Sequence, residues 1–184
     1  MAETKTTRTR KAKAVETTAS APVADAVPTQ TVSSKPTLTL DTMVKCVSSI
    51  PVGNLIYVSK RMQGRELEWH EFGDEQYIEL AELQAMRNSY PSFFSRNWIL
   101  IDDDAVLQFL NASKYYTCIK SIDDYDRIMH MSASEIAECV PTLSKDLKCS
   151  LAAYAYNKYV SGELDSVSIL KALESATKMK IIDN

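Results

Sequence analysis

Glycine, histidine and long apolar runs are scarce in this chain, and each shortage removes a class of function. The 184 residues include four glycines and two histidines. Phosphate cradles need closely spaced glycines so that backbone amides can approach the ligand. Gly53, Gly64, Gly73 and Gly162 are scattered, so the chain has neither a P-loop nor a dinucleotide fingerprint, and each glycine reads as a turn or helix-end residue. His70 and His130 stand in no H-E-x-x-H or G-x-S-x-G setting, which leaves nucleophilic triads unsupported. No stretch nears the ~20 apolar residues that cross a bilayer, and the start lacks the apolar centre of a secretory signal. A soluble, unexported protein without a membrane partner is expected.

The four cysteines (Cys46, Cys118, Cys139, Cys149) form no C-x-x-C pair and sit in apolar or amphipathic context. Zinc and redox motifs are absent, and buried reduced thiols are the expectation.

Charge is divided unevenly along the chain. Up to Lys35 there are six basic residues (Lys5, Arg8, Arg10, Lys11, Lys13, Lys35) against three acidic ones (Glu3, Glu16, Asp25). That stretch carries +3 in a chain of formal net charge −3, which leaves −6 on the remainder. Residues 1–37 are mostly Thr, Ala, Lys, Val, Ser and Pro, and Leu, Ile and Phe are missing before Leu38. Such a composition cannot bury enough apolar area to offset the entropy of ordering, so a disordered basic arm is expected over 1–37. Pro22, Pro28 and Pro36 favour an extended path, with a reach of about 100 Å. Lys5, Arg8, Arg10, Lys11 and Lys13 are the candidate contacts to a partner protein or to nucleic acid. The acidic remainder argues against a base-reading surface on the body.

Residues 38–184 are long enough for one core and read as a single α+β domain, β-rich with short helices over 38–120 and helical over 121–184. Val44, Cys46 and Val47 precede a turn at residues 51–54 and a second strand-forming run at residues 55–58, a pattern that predicts a hairpin. Leu67 and Trp69 alternate with Glu66, Glu68 and His70 in the period of a half-buried strand, and residues 76–78 predict a short fourth one. Leu80, Leu83 and Met86 then follow helical spacing until Pro91, and residues 98–101 return to strand character. Asp102 or Asp103 can cap a short helix whose buried stripe is Val106, Phe109 and Leu110.

Further on, Ser132-Ala133-Ser134-Glu135 has the form of a capping box, with Met131 and Ile136 placed for a hydrophobic staple. Pro141 ends that helix. A longer one carries Leu147, Leu151, Tyr154 and Ala155, and Gly162 with Asp165 separates it from a last helix through Ile169, Leu170, Leu173 and Ala176. These two are expected to pack as an antiparallel pair.

Two acidic clusters, Asp102-Asp103-Asp104 and Asp123-Asp124 with Asp126, invite a metal. Both open predicted helices, where carboxylates accept free amides, and neither follows the D-x-D-x-D-G calcium loop. A structural role is expected, with no cofactor and no metal. Trp69, Phe72, Tyr77, Phe93, Phe94 and Trp98 could stack on bases, but Glu66, Glu68, Glu71, Asp74 and Glu75 oppose phosphates, so core packing is the reading.

The run Val52-Gly53-Asn54-Leu55-Ile56-Tyr57-Val58-Ser59, followed by Trp69-His70-Glu71-Phe72-Gly73-Asp74, Leu83, Met86-Arg87-Asn88, residues 91–94 and residues 98–102, resembles a family of small tailed-bacteriophage proteins. Their Lys/Thr/Ala-rich leader is similar too. The likeness extends more loosely through Tyr115-Tyr116 to Gly162-Glu163-Leu164-Asp165-Ser166. It implies a non-enzymatic virion or virion-assembly component, made in the host cytoplasm; its place in the particle stays open, with the head or neck favoured over the tail. Its partners would be other virion structural proteins in many copies, and no catalytic residue or cofactor carries over. The alternative is a regulatory phage protein gripping nucleic acid nonspecifically through the basic arm.

Overall fold

In a computed structural model, which describes residues 38–182, strand β1 (Met43–Ser48) lies at the centre of a three-stranded antiparallel sheet. Its neighbours are β4 (Glu75–Glu79) and β5 (Ile99–Leu100), in the order β4-β1-β5. Between them in sequence come β2 (Leu55–Val58) and β3 (Glu66–Trp69), which form a separate two-stranded antiparallel sheet.

The expected hairpin between β1 and β2 does not form; β2 pairs with β3 instead, in the register Leu55↔Trp69 to Val58↔Glu66. The reason lies at the end of β1. Ser48 N–H donates to Asp74 O at 2.9 Å and Ser49 N–H to Trp98 O at 3.0 Å, so both sides of that end are taken before the chain reaches Pro51. The β2–β3 turn closes on Gly64, whose φ of 86° is open to a residue without Cβ, and Gly64 N–H donates to Ser59 O at 2.9 Å. The Trp69 indole N–H then donates to Cys46 O at 3.1 Å, which fastens the hairpin to the sheet.

Helix α1 (Leu80–Ser89) follows β4 directly and buries Leu80, Glu82, Leu83 and Met86. A short α2 (Ser92–Ser95) inserts Phe93 and Phe94 into the core. Helix α3 (Asp104–Phe109) is capped by Asp103, whose carboxylate accepts from the amides of Ala105 and Val106. Its buried stripe differs from the expected one: Phe109 is 44% exposed, and Leu107 fills the core with Val106 and Leu110. A six-residue helix has only about a turn and a half, so its inward face is set by the core it docks on, where Val106 and Leu107 are fully buried.

The remaining elements are helices: α4 (Asp123–Met129), α5 (Ala133–Cys139), α6 (Lys145–Val160) and α7 (Val167–Thr177). Both halves of the capping box are present on α5. Ser132 Oγ accepts from Glu135 N, and Glu135 returns a carboxylate oxygen to Ser132 N at 2.8 Å. Ser144 and Ser166 cap α6 and α7 by the serine half alone, accepting from the amides of Leu147 and Ile169. Helix α7 packs on α6 as expected and also on α5.

One continuous apolar cluster runs from Val44 to Ile181, joining sheet and helices into an α+β fold. The polar ties cross the same boundary. Ser150 Oγ on α6 donates to Ser49 O at 2.6 Å and meets Tyr125 Oη at 3.0 Å, and the Trp98 indole donates to Asp146 at 2.8 Å. Among the described residues no helix is long and apolar enough to cross a membrane.

The cysteines depart from expectation. Only Cys46 is buried, and burial pushes its thiol far above the ordinary range. Cys149 is exposed, because it falls on the outer face of α6. Cys118 and Cys139 are paired as a disulfide, their Cα atoms 6.0 Å apart across 21 positions of sequence.

Candidate functional site

Strand β1 has a neighbour along its whole length on one side and along only its last residues on the other. With β4 its register runs from Met43↔Glu79 to Val47↔Glu75, whereas with β5 it covers Val47↔Leu100 and Ser48↔Ile99 alone. In an antiparallel ladder successive residues turn their backbone groups to alternate sides. Thr42 O accepts from Leu80 N and Ser48 N donates to Asp74 O, so the even-numbered residues face β4. Met43 and Lys45 therefore direct N–H and C=O the other way, where no strand stands opposite them.

That side is an open groove of about 420 Å³. Its walls are Met43, Val44, Lys45, Val47 and Glu75 from the sheet, and Leu100, Asp102 and Asp103 from the chain leaving β5. Lys120, Ser121, Ile122 and Asp123, leading into α4, complete it. The chain leaves β5 after Leu100 because Asp103 must turn to cap α3, and that early departure leaves the upper half of β1 unpaired.

The groove thus unites the leading residues of the two acidic clusters, which spacing alone left apart. Lys45 pairs with Glu75, whose hydrogen bond raises the lysine above its ordinary pKa, and Lys120 pairs with Asp104. Asp102 and Asp123 are exposed and make no ion pair among the described residues. The groove is left with an excess of negative charge over an apolar floor of Val44, Val47 and Leu100.

Asp124 and Asp126 do other work. Burial alone would raise Asp124, but the amides of Lys120 and Ser121 and the Arg127 guanidinium outweigh it and hold the carboxyl below its usual range. Asp126 accepts the Tyr154 hydroxyl at 2.7 Å. Burial, helped by that bond, pushes Tyr154 up to about 12. Among the described residues no group of three or more His, Cys, Asp and Glu side chains is placed to hold a metal ion.

No protein-family model, curated protein or solved structure matches the chain.

The other candidates are spread over the fold. His70 is exposed beside Glu68 after β3, and His130 caps the C-terminus of α4; neither lines the groove. Trp69, Phe93 and Phe94 are buried, and Phe72 and Trp98 pack against the core, with Phe72 edge-on to Tyr125. Tyr77 is the exception at 59% exposure, on the outer face of the sheet opposite Lys45. Lys5, Arg8, Arg10, Lys11 and Lys13, with the whole expected arm over 1–37, lie outside the described residues.

Sequence reasoning missed Glu82. It is fully buried, accepts the Tyr57 hydroxyl at 2.6 Å and has Arg61 at 3.7 Å from its second oxygen. Burial raises the Tyr57 phenol well above its ordinary range, with Glu82 adding to the effect. The available signal was phase, since Glu82 is four residues before Met86 and shares its face. Neither Glu82 nor Tyr57 lines the groove, so the pair serves to lock α1 beneath the β2–β3 hairpin.

Proposed function

We propose that this chain is a non-enzymatic structural component of a tailed-phage particle, which docks on other virion proteins present in many copies. The observation that carries the docking role is the groove: an unpaired strand edge set among carboxylates suits the binding of another polypeptide in extended form. Main-chain groups of Met43 and Lys45 would supply affinity, and the surrounding charges would select the partner. The phage setting is supported by the resemblance in residues 52–59, which form β2 and its flanks, and residues 69–74, which join β3 to β4. The head or neck suits a lattice-docking protein better than the tail.

Mass spectrometry of purified particles from the phage that encodes the chain tests this reading. The protein should be recovered in many copies per particle. Its presence in infected cells but absence from washed particles would overturn the proposal and favour the nucleic-acid-binding alternative.

A further inference from the structure

The reading of the chain as a lattice-docking protein leaves open what fills the groove. We propose that the occupant is the N-terminal segment of a second copy, with residues 6–13 adding as a strand beside Met43–Cys46. This rests on the docking role and goes beyond it by naming the partner.

Three observations lead there. First, the slot has a strand's chemistry: two outward-facing residues, Met43 and Lys45, present unpaired main-chain donors and acceptors on the side where β5 has ended. A neighbouring strand satisfies such groups, and an exposed edge of this kind is a template for one.

Second, charge selects the occupant. Asp102 and Asp123 line the slot without ion pairs, and the two lysines beside them are already engaged with Glu75 and Asp104. Thr6-Thr7-Arg8-Thr9-Arg10-Lys11-Ala12-Lys13 has four cations, no acid and three β-branched threonines, a composition suited to an extended strand in an acidic groove. In strand geometry Arg8 and Arg10 fall on one face, separated by about 7 Å.

Third, the lengths allow a neighbour to be reached. The 24 residues from Ala14 to Thr37 span up to about 80 Å when extended. A compact body of the size described is about 40 Å across, estimated from its radius of gyration. A repeating array of copies, each supplying a strand to the next, is the open head-to-tail arrangement such an exchange generates.

The test uses the full chain. Sedimentation velocity should show association that rises with protein concentration and weakens about tenfold or more when salt is raised from about 50 to about 500 mM. Arg8→Glu with Arg10→Glu should abolish it, and so should Asp102→Lys with Asp123→Lys. A chain carrying all four reversals should associate again, because the charges are complementary once more; this recovery also shows that the variants fold. Hydrogen exchange on the wild-type chain should slow at the Met43 and Lys45 amides as concentration rises.

Association that leaves those two amides unprotected would place the contact elsewhere and overturn the proposal. Concentration-independent protection in a monomer would mean that each chain fills its own groove, and that also overturns it. Neither outcome touches particle membership, which the mass-spectrometric test decides separately.

Discussion

Ser150 shows how much one side chain can hold in place. Its hydroxyl is buried, donates to Ser49 O at the end of β1 and meets the Tyr125 hydroxyl on α4, so one atom ties α6 to the sheet and to another helix. Ser150→Ala strands the Ser49 carbonyl in an apolar surrounding and leaves the Tyr125 hydroxyl with the Ser49 side chain, at an expected cost of about 1–3 kcal/mol. Urea denaturation checks this: a midpoint equal to wild type would mean that the carbonyl finds another partner.

The carboxylates set the response to acid. Asp124, Glu135 and Glu174 all lie below their ordinary range, the last because Ile181 and Ile182 N–H donate to it. A carboxyl whose pKa is lower folded than unfolded contributes stability above the unfolded value, about 4, and loses it as pH falls through the folded value. Stability should therefore be flat from about pH 7 to about pH 5 and fall steeply below about pH 4. Asp124→Asn should make that fall shallower in denaturant midpoints measured across the range.

At the scale of elements, the local signals held best where the partners are near in sequence. The α5 capping box forms within four residues, and the β2–β3 hairpin closes around Gly64. The β1 partners were unreadable because they come from residues 75–79 and 99–100, and the choice depends on which segments reach the sheet after α1 and α2 are placed. The groove was hidden for the same reason: its acids were visible as two clusters, while their convergence depends on a turn at Asp103 and on α4 docking beside it.

The Cys118–Cys139 pair belongs to this scale, since it joins the segment before α4 to the end of α5. Closing a loop of this length removes unfolded-state entropy worth about 3 kcal/mol. Reductant should lower the denaturation midpoint of the wild-type chain by an equivalent amount and leave a Cys118→Ser, Cys139→Ser variant unmoved. Equal midpoints with and without reductant would show that the pair contributes nothing in solution.

Over the whole described body, sheet and helices share one apolar cluster, and Trp98 and Ser150 bond across the boundary. A single cooperative unfolding transition is expected. Indole fluorescence, which reports Trp69 in β3 and Trp98 before β5, should give the same midpoint as far-ultraviolet circular dichroism, which follows the helices. A helical signal surviving after the fluorescence change would show that the C-terminal helices stand on their own.

The α+β class, most element positions, the caps at Asp103 and Ser132 and the contrast between a basic opening and an acidic remainder were legible in the residues alone. Those features depend on periodicity, on capping contacts within four residues and on charge counts, all of which are local. Long-range packing, by contrast, set the pairing of β1 with β4 and β5, the outward turn of Phe109, the meeting of Cys118 with Cys139 and the place of Asp102 and Asp123 beside an unpaired strand edge. Each of these depends on contacts between residues far apart along the chain, and no local preference specifies which distant segments share a core.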